Sequence, residues 1–259
     1  MLLSTRLNAD LALALSLADA ADEITMRYFR SAQLSVRTKS DRTPVSEADE
    51  ATERMIRERL ANERPSDAIL GEEFGTSGTN ARRWIIDPID ATGNYVRGVP
   101  VFATLIALED HGVLEIGVVS APALHRRWSA TRGAGAYCNG APIHVSTVDA
   151  LSQTFLGYDA LSDFADGGRF IELLRQCHRS RGFGDFWAHM LVAEGALDAA
   201  IEPRVAHWDM AAVQIIVEEA GGRFTNLAGE ARADGGSGLS TNGLIHDAIL
   251  EEFRISNFE

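Results

Sequence analysis

Trp84-Ile85-Ile86-Asp87-Pro88-Ile89-Asp90-Ala91-Thr92-Gly93-Asn94-Tyr95 runs a short apolar strand straight into two carboxylates, a small residue and a hydroxyl. The strand, Trp84 to Ile86, reads as buried and rigid. Pro88 is expected to end it and to fix the turn that follows. Asp87 and Asp90 then leave the strand end close together. Two carboxylates forced together repel and raise each other's pKa unless a cation joins them. A hard divalent cation such as Mg²⁺ takes oxygen ligands and keeps sites for water and phosphate oxygens. Ala91 and Thr92 offer backbone N–H groups where a helix could begin, a natural phosphate seat. The competing reading is a polar turn that needs no metal.

Working outward, Leu7, Leu11, Leu15, Ala18, Ile24 and Phe29 form a helical stripe through Asn8 to Arg30, read as core. Ser31 to Val45 is polar, a strand fragment and loop with Lys39, Ser40, Asp41, Arg42 and Pro44 as breakers. Ser46-Glu47-Ala48-Asp49 has the form of a capping box opening a helix to about Leu60. Ala68 to Leu70 is a short strand leading to Gly71-Glu72-Glu73. After Trp84 come strands at Phe102 to Leu108, Val113 to Ser120 and Arg127 to Thr131, with His111-Gly112 and Asn139-Gly140 as turns. Beyond about Ala150 helices and strands alternate. Helices are expected at Phe170 to His178, Asp185 to Glu194, Trp208 to Ala220 and Leu244 to Phe253. Strands are expected at Leu197 to Glu202, Arg223 to Asn226 and Gly238 to Thr241. Two lobes sharing a cleft follow, residues 1–150 and 151–259.

The 259 residues, 46% hydrophobic, suffice for a substantial core. No apolar run is long enough to span a bilayer, and Met1 to Asp10 lacks a signal-peptide pattern. Cys138 and Cys177 are too few for a disulfide framework, which fits a reducing cytoplasm. A net charge of -13 disfavours nucleic acid and anionic membranes. It also opposes an anionic substrate unless bound cations reverse the local sign.

Glu72 follows a strand as Asp87 does, and Asp209 opens a helix within His207-Trp208-Asp209-Met210-Ala211-Ala212. Alone, each is an ordinary turn or cap residue. Together, Glu72, Asp87-x-x-Asp90-x-Thr92 and Trp208-Asp209-x-Ala211-Ala212 resemble the inositol monophosphatase superfamily of metal-dependent phosphatases across nearly the whole chain. The resemblance implies an α+β fold, a layered αβαβα sandwich with a largely antiparallel first sheet and a mixed second one. It implies a first Mg²⁺ on Glu72, Asp87 and the Ile89 carbonyl, and a second on Asp87, Asp90 and Asp209. Glu72 would also touch a weaker third ion. Thr92 and Asp49 would orient the attacking water, with Glu72 assisting, so Asp49 has two readings: half of the capping box, or partner of the Thr92 hydroxyl. Substrate contacts would fall on Asp90, Ala91, Thr92, Asp185, Glu202 and Asp209, and the assembly would be a homodimer. One departure is Ala91, where the family usually has Gly: harmless at helical dihedrals, harmful if positive φ is required.

Asn94 to Leu108, with Arg97-Gly98-Val99 before Pro100, looks like the histidinol-phosphate phosphatase branch of that superfamily. Ser120-Ala121-Pro122-Ala123-Leu124 and Val192-Ala193-Glu194-Gly195 fit the same branch. Its substrate carries an ammonium and an imidazole, and a carboxylate such as Asp185 would pair with a cation. The alternatives are an N-cap role for Asp185 and an ordinary exposed acid at Glu202. The expected activity is Mg²⁺-dependent hydrolysis of histidinol phosphate in histidine biosynthesis. The rivals are inositol monophosphate, a sugar or nucleotide phosphate, or a catalytically weak metal- and phosphate-binding module.

Overall fold

The computed structural model describes residues 2–39 and 44–254; the expected breakers Ser40, Asp41 and Arg42 lie outside them. The chain opens with α1 (Leu2–Tyr28), six residues earlier than its apolar stripe predicts. A small hairpin of β1 (Val36–Thr38) and β2 (Pro44–Ser46) follows, then α2 (Glu47–Glu63). Ser46 caps α2 and Asp49 reciprocates, as the sequence predicts.

Eight strands build the first sheet: β3 (Ala68–Gly71), β4 (Gly75–Ser77), β5 (Arg82–Asp90), β6 (Ala103–Asp110), β7 (Val113–Ala121), β8 (Arg126–Thr131), β9 (Ala136–Cys138) and β10 (Ala141–Pro142). The short helix α3 (Thr92–Val96) leaves the end of β5. The order is β10-β9-β8-β7-β6-β5-β3-β4, antiparallel except where β3 runs parallel to β5. His111-Gly112 and Asn139-Gly140 turn β6 into β7 and β9 into β10, all four at positive φ.

The second half supplies β11 (Phe155–Tyr158), α4 (Gly167–Gln176), β12 (Arg179–Gly182), α5 (Asp185–Ala193), β13 (Ala199–Glu202), α6 (His207–Glu219), β14 (Arg223–Thr225), β15 (Gly238–Thr241) and α7 (His246–Arg254). Its sheet, ordered β12-β11-β13-β15-β14, is mixed: β11 is parallel to β12 and β13, while β15 is antiparallel to β13 and β14. The short strands β4, β11 and β12 have no distinct sequence signal; β12 is Arg-Ser-Arg-Gly on a sheet edge.

Alternation along β5 explains the layering. Trp84 and Ile86 point into a core with Leu13, Leu17 and Ala21 of α1 and Ile56 and Leu60 of α2. Ile85 points the other way, into a core with Phe186 and Met190 of α5 and Met210, Val213 and Ile216 of α6. Covered on both faces, this part of β5 is apolar at every position. A third core joins Leu156, Ile201 and Leu239 of the second sheet to Phe170 and Leu173 of α4 and Ile249 and Leu250 of α7. The molecule is thus an αβαβα sandwich. Its central layer, α5 and α6, packs against both sheets. Gly117 of β7 sets the closest approach: a Cβ there would lie 2.5 Å from Ile215 Cγ2 and 2.7 Å from Ala212 O.

One expectation is overturned at the decisive stretch. Pro88 does not end β5, which continues to Asp90. The pairing of β5 with β6 shifts register between Asp87 and Asp90, so the residue without an N–H falls where the ladder is already interrupted. The Pro88 carbonyl accepts from Thr104 Oγ1 at 2.8 Å instead.

Candidate active site

The bulge aims the carboxylates. Asp87 and Asp90 are buried at the end of β5, and Asp209 lies in the first turn of α6, where Ala206 N–H donates to its Oδ2 at 2.7 Å. Oxygens of Asp87, Asp90 and Asp209 lie within 4.8 Å of one another. The Asp87 side chain also accepts from Ile89 N–H at 3.0 Å, and Asp90 from Phe186 N–H, at the start of α5, at 2.7 Å. Sheet one and both central helices therefore meet at one cluster. Glu72, Asp87, Ile89, Asp90, Ala91, Thr92, Asp185 and Asp209 all line one cavity of about 370 Å³.

Burial, then the neighbouring carboxylates, push the acids upward. Asp87 is raised well above the usual range by burial, Glu72, Asp90 and Asp209. Asp90 is raised by burial, Asp185 and Asp209, against the Phe186 N–H, which lowers it. Burial takes Asp209 to about 6. Such oxygen-only donors, repelling one another in a buried cleft, fit a hard divalent cation. Lys39 supplies part of the missing charge: its Nζ donates to Glu72 Oε1 and Glu73 Oε1, each at 2.7 Å. From the sequence Lys39 reads only as a loop breaker, because the hairpin that brings it to Glu72 has no local signal.

Asp49 holds both of its roles at once. Its Oδ2 accepts from Ser46 N–H at 2.8 Å and Ser46 Oγ at 2.6 Å, while Oδ1 faces Thr92 Oγ1 at 3.3 Å. Thr92 Oγ1 also reaches the Ile89 carbonyl at 2.8 Å. Burial raises Asp49 to about 6 against the hydrogen bonds from Ser46. Ala91 resolves the question raised by the missing glycine: φ is 64° and ψ is 44°, a left-handed residue directly before α3.

Asp185 is not an N-cap. Gly184 holds that position, and Asp185 itself sits at φ 50° with its carboxylate in the cavity. Burial, Asp159 and Asp209 raise it to about 7. Glu202 is not an exposed acid: it is 7% exposed, its Oε1 has no hydrogen-bond partner among the described residues, and burial and Asp185 hold it well above the usual range. It stands behind Gly184, outside the residues that line the cavity. Arg181, on the edge strand β12, donates to Ser180 O and packs over the Phe155 ring, away from both acids. Asp159 lines the cavity and escapes the sequence reading, because β11, the short strand it follows, has no distinct sequence signal.

Residues 7–257 match the inositol monophosphatase family, and the chain belongs to that family of metal-dependent phosphatases. It is 53% identical over 250 residues to the histidinol-phosphatase of Mycobacterium tuberculosis, covering 93% of this chain and 96% of the relative. The histidinol-phosphatase of Streptomyces coelicolor is 50% identical over 253 residues, with 93% and 95% covered. Among solved structures, the Thermotoga maritima IMPase superposes with a TM-score of 0.87 at 33% identity, over 94% of this chain and 96% of that one.

Proposed function

We propose that this phosphatase hydrolyses L-histidinol phosphate to L-histidinol and phosphate, using Mg²⁺. The observation that carries the reading is 50–53% identity, over nearly full length, to two histidinol-phosphatases. Asp185, a carboxylate lining the cavity, and Glu202, an acid buried behind Gly184, would suit a cationic rather than a polyol substrate and support the reading. Glu72, Asp87, Asp90, Asp209 and the Ile89 carbonyl would hold two to three ions, as the superfamily pattern implies. Bound there, they would supply positive charge to the phosphoryl oxygens and lower the pKa of water.

The chain's own groups do the rest. Thr92 Oγ1, donating to Asp49 or to Ile89 O, turns its lone pairs to the cavity and orients the attacking water. Asp49, held near 6, is a competent proton acceptor at neutral pH. Ala91, Thr92 and Gly93 line the cavity at the start of α3, where the Thr92 and Gly93 N–H groups precede the first turn bond, Asn94 N–H to Ala91 O, and offer a seat for the phosphate. We read residues 1–150 and 151–259 as two lobes closing on this site, in a homodimeric enzyme of a reducing cytoplasm. The free Cys138 and Cys177 accord with that compartment.

A screen of histidinol phosphate, inositol 1-phosphate, fructose 1,6-bisphosphate and a nucleotide 3′-phosphate, with Mg²⁺ or with chelator, tests this. Hydrolysis should need Mg²⁺ and favour histidinol phosphate in kcat/KM. Preference for inositol 1-phosphate, or full activity in chelator, sinks the reading.

A further inference from the structure

The phosphate-handling residues serve every ester alike, so discrimination must come from the groups around the organic half. Three acidic residues meet there around a single glycine, Gly184, which Asp159 and Glu202 crowd and which Asp185 follows in the chain. A Cβ on Gly184 would lie 2.5 Å from Asp159 Cβ and 2.6 Å from Glu202 Oε1. Glycine at this position lets β11 and β13 bring Asp159 and Glu202 against the start of α5, where Asp185 emerges. Asp159 and Asp185 face the cavity.

The protein leaves this trio without a cation. Among the described residues no lysine or arginine pairs with Asp159, Asp185 or Glu202. Glu202 Oε1 is unpartnered; the nearest base, His189 Nε2, stands 3.9 Å away, beyond a hydrogen bond, and is itself unpartnered. His189 Nδ1 is engaged with Ser240 Oγ at 2.7 Å, and burial keeps the ring neutral. Buried or crowded carboxylates with no counter-charge are costly to keep in a fold. A ligand that brings positive charge offsets that cost when it binds.

We propose that Asp159 is a specificity-determining residue, the outer member of an Asp159–Asp185–Glu202 pocket that selects phosphate esters whose organic half carries a protonated amine. Asp159 is the most exposed of the three, so it meets an incoming cation first. The inference rests on the reading of histidinol phosphate as substrate and adds the residue that enforces it.

The test is the ratio of kcat/KM for histidinol phosphate to that for glycerol 2-phosphate, at saturating Mg²⁺, in wild type, Asp159→Asn, Asp159→Glu and Gly184→Ala. Losing one charge-assisted contact should cut the ratio about ten- to a hundredfold in Asp159→Asn, mainly through KM for the cationic ester. Asp159→Glu should keep most of it. Gly184→Ala should lower it too, because the methyl wedges Asp159 from Glu202, with Tm reporting that the chain still folds. An unchanged ratio in Asp159→Asn, or equal losses on both esters, overturns the role of Asp159. A wild type with no preference for the cationic ester overturns the substrate reading itself, before any variant is compared.

Discussion

Asp49 carries two duties on one side chain, and each oxygen can be followed separately. Oδ2 closes the α2 capping box, while Oδ1 serves Thr92. Asp49→Ala should therefore cost about 1 kcal/mol of stability, typical of a lost cap. It should also lower kcat by on the order of a hundredfold, typical of lost proton-transfer assistance. Urea denaturation and steady-state kinetics read the two effects independently; a stability loss with wild-type kcat would leave Asp49 as a cap alone. Ala91 is the second telling residue. At φ 64° its Cβ crowds the backbone, at a cost of about 1–2 kcal/mol relative to glycine. Glycine gives back part of that gain through a freer unfolded chain, about 0.4–1 kcal/mol. Ala91→Gly should thus stabilise by up to about 1.5 kcal/mol in urea denaturation. A destabilised variant would show that the methyl makes a compensating contact.

At the scale of elements, the site depends on where α6 sits. Its first turn delivers Asp209, and its middle lies on β7 through Gly117. Gly117→Ala forces a methyl against the Ala212 carbonyl and Ile215, and overpacking of this kind costs about 1–3 kcal/mol. The helix must shift to admit it, and Asp209 moves with the helix. The expected result is a lower urea midpoint together with a higher Mg²⁺ concentration for half-maximal activity. A loss of stability with an unchanged Mg²⁺ requirement would mean that the first turn of α6 is held independently of its middle, by the hydrogen bond that Ala206 N–H donates to the Asp209 carboxylate.

For the molecule as a whole, stability, pH and metal are linked. Asp209 and Asp185 sit at about 6 and about 7 against an ordinary 3.8. Between those values the folded protein holds protons that the unfolded chain has released. Their contribution to stability is thus fully present below about 3.8 and is lost as pH rises through 6 to 7. A cation held by Asp209 would take its deprotonated form, release that proton, and disfavour the proton on neighbouring Asp185. The rise in Tm produced by Mg²⁺ should accordingly be small at about pH 5 and grow toward about pH 8. Thermal melts with and without the ion across that range measure it, and an increment independent of pH contradicts it. On the same logic Asp87→Asn, which would remove the donor proposed to serve both ions, should abolish nearly all turnover and reduce the Mg²⁺ increment.

Local physics was legible in the chain itself. The buried apolar run Trp84 to Ile86 of β5, the Ser46–Asp49 box and the His111-Gly112 and Asn139-Gly140 turns each depend on neighbours a few residues apart, so sequence determined them. The carboxylates Glu72, Asp87, Asp90 and Asp209 stood out by type and context, and the resemblance built on them named the family. What the sequence could not decide was anything produced by convergence. Pro88 staying inside a strand depends on a bulge against β6, a partner more than a dozen residues away. Lys39 reaching Glu72, Asp159 joining the cavity, and Glu202 being buried rather than exposed depend on which strand ends meet at Gly184 and at the end of β5. A carboxylate's pKa, partners and use are set by the charges and solvent around it, and only the packing of both sheets on α5 and α6 brings those surroundings together.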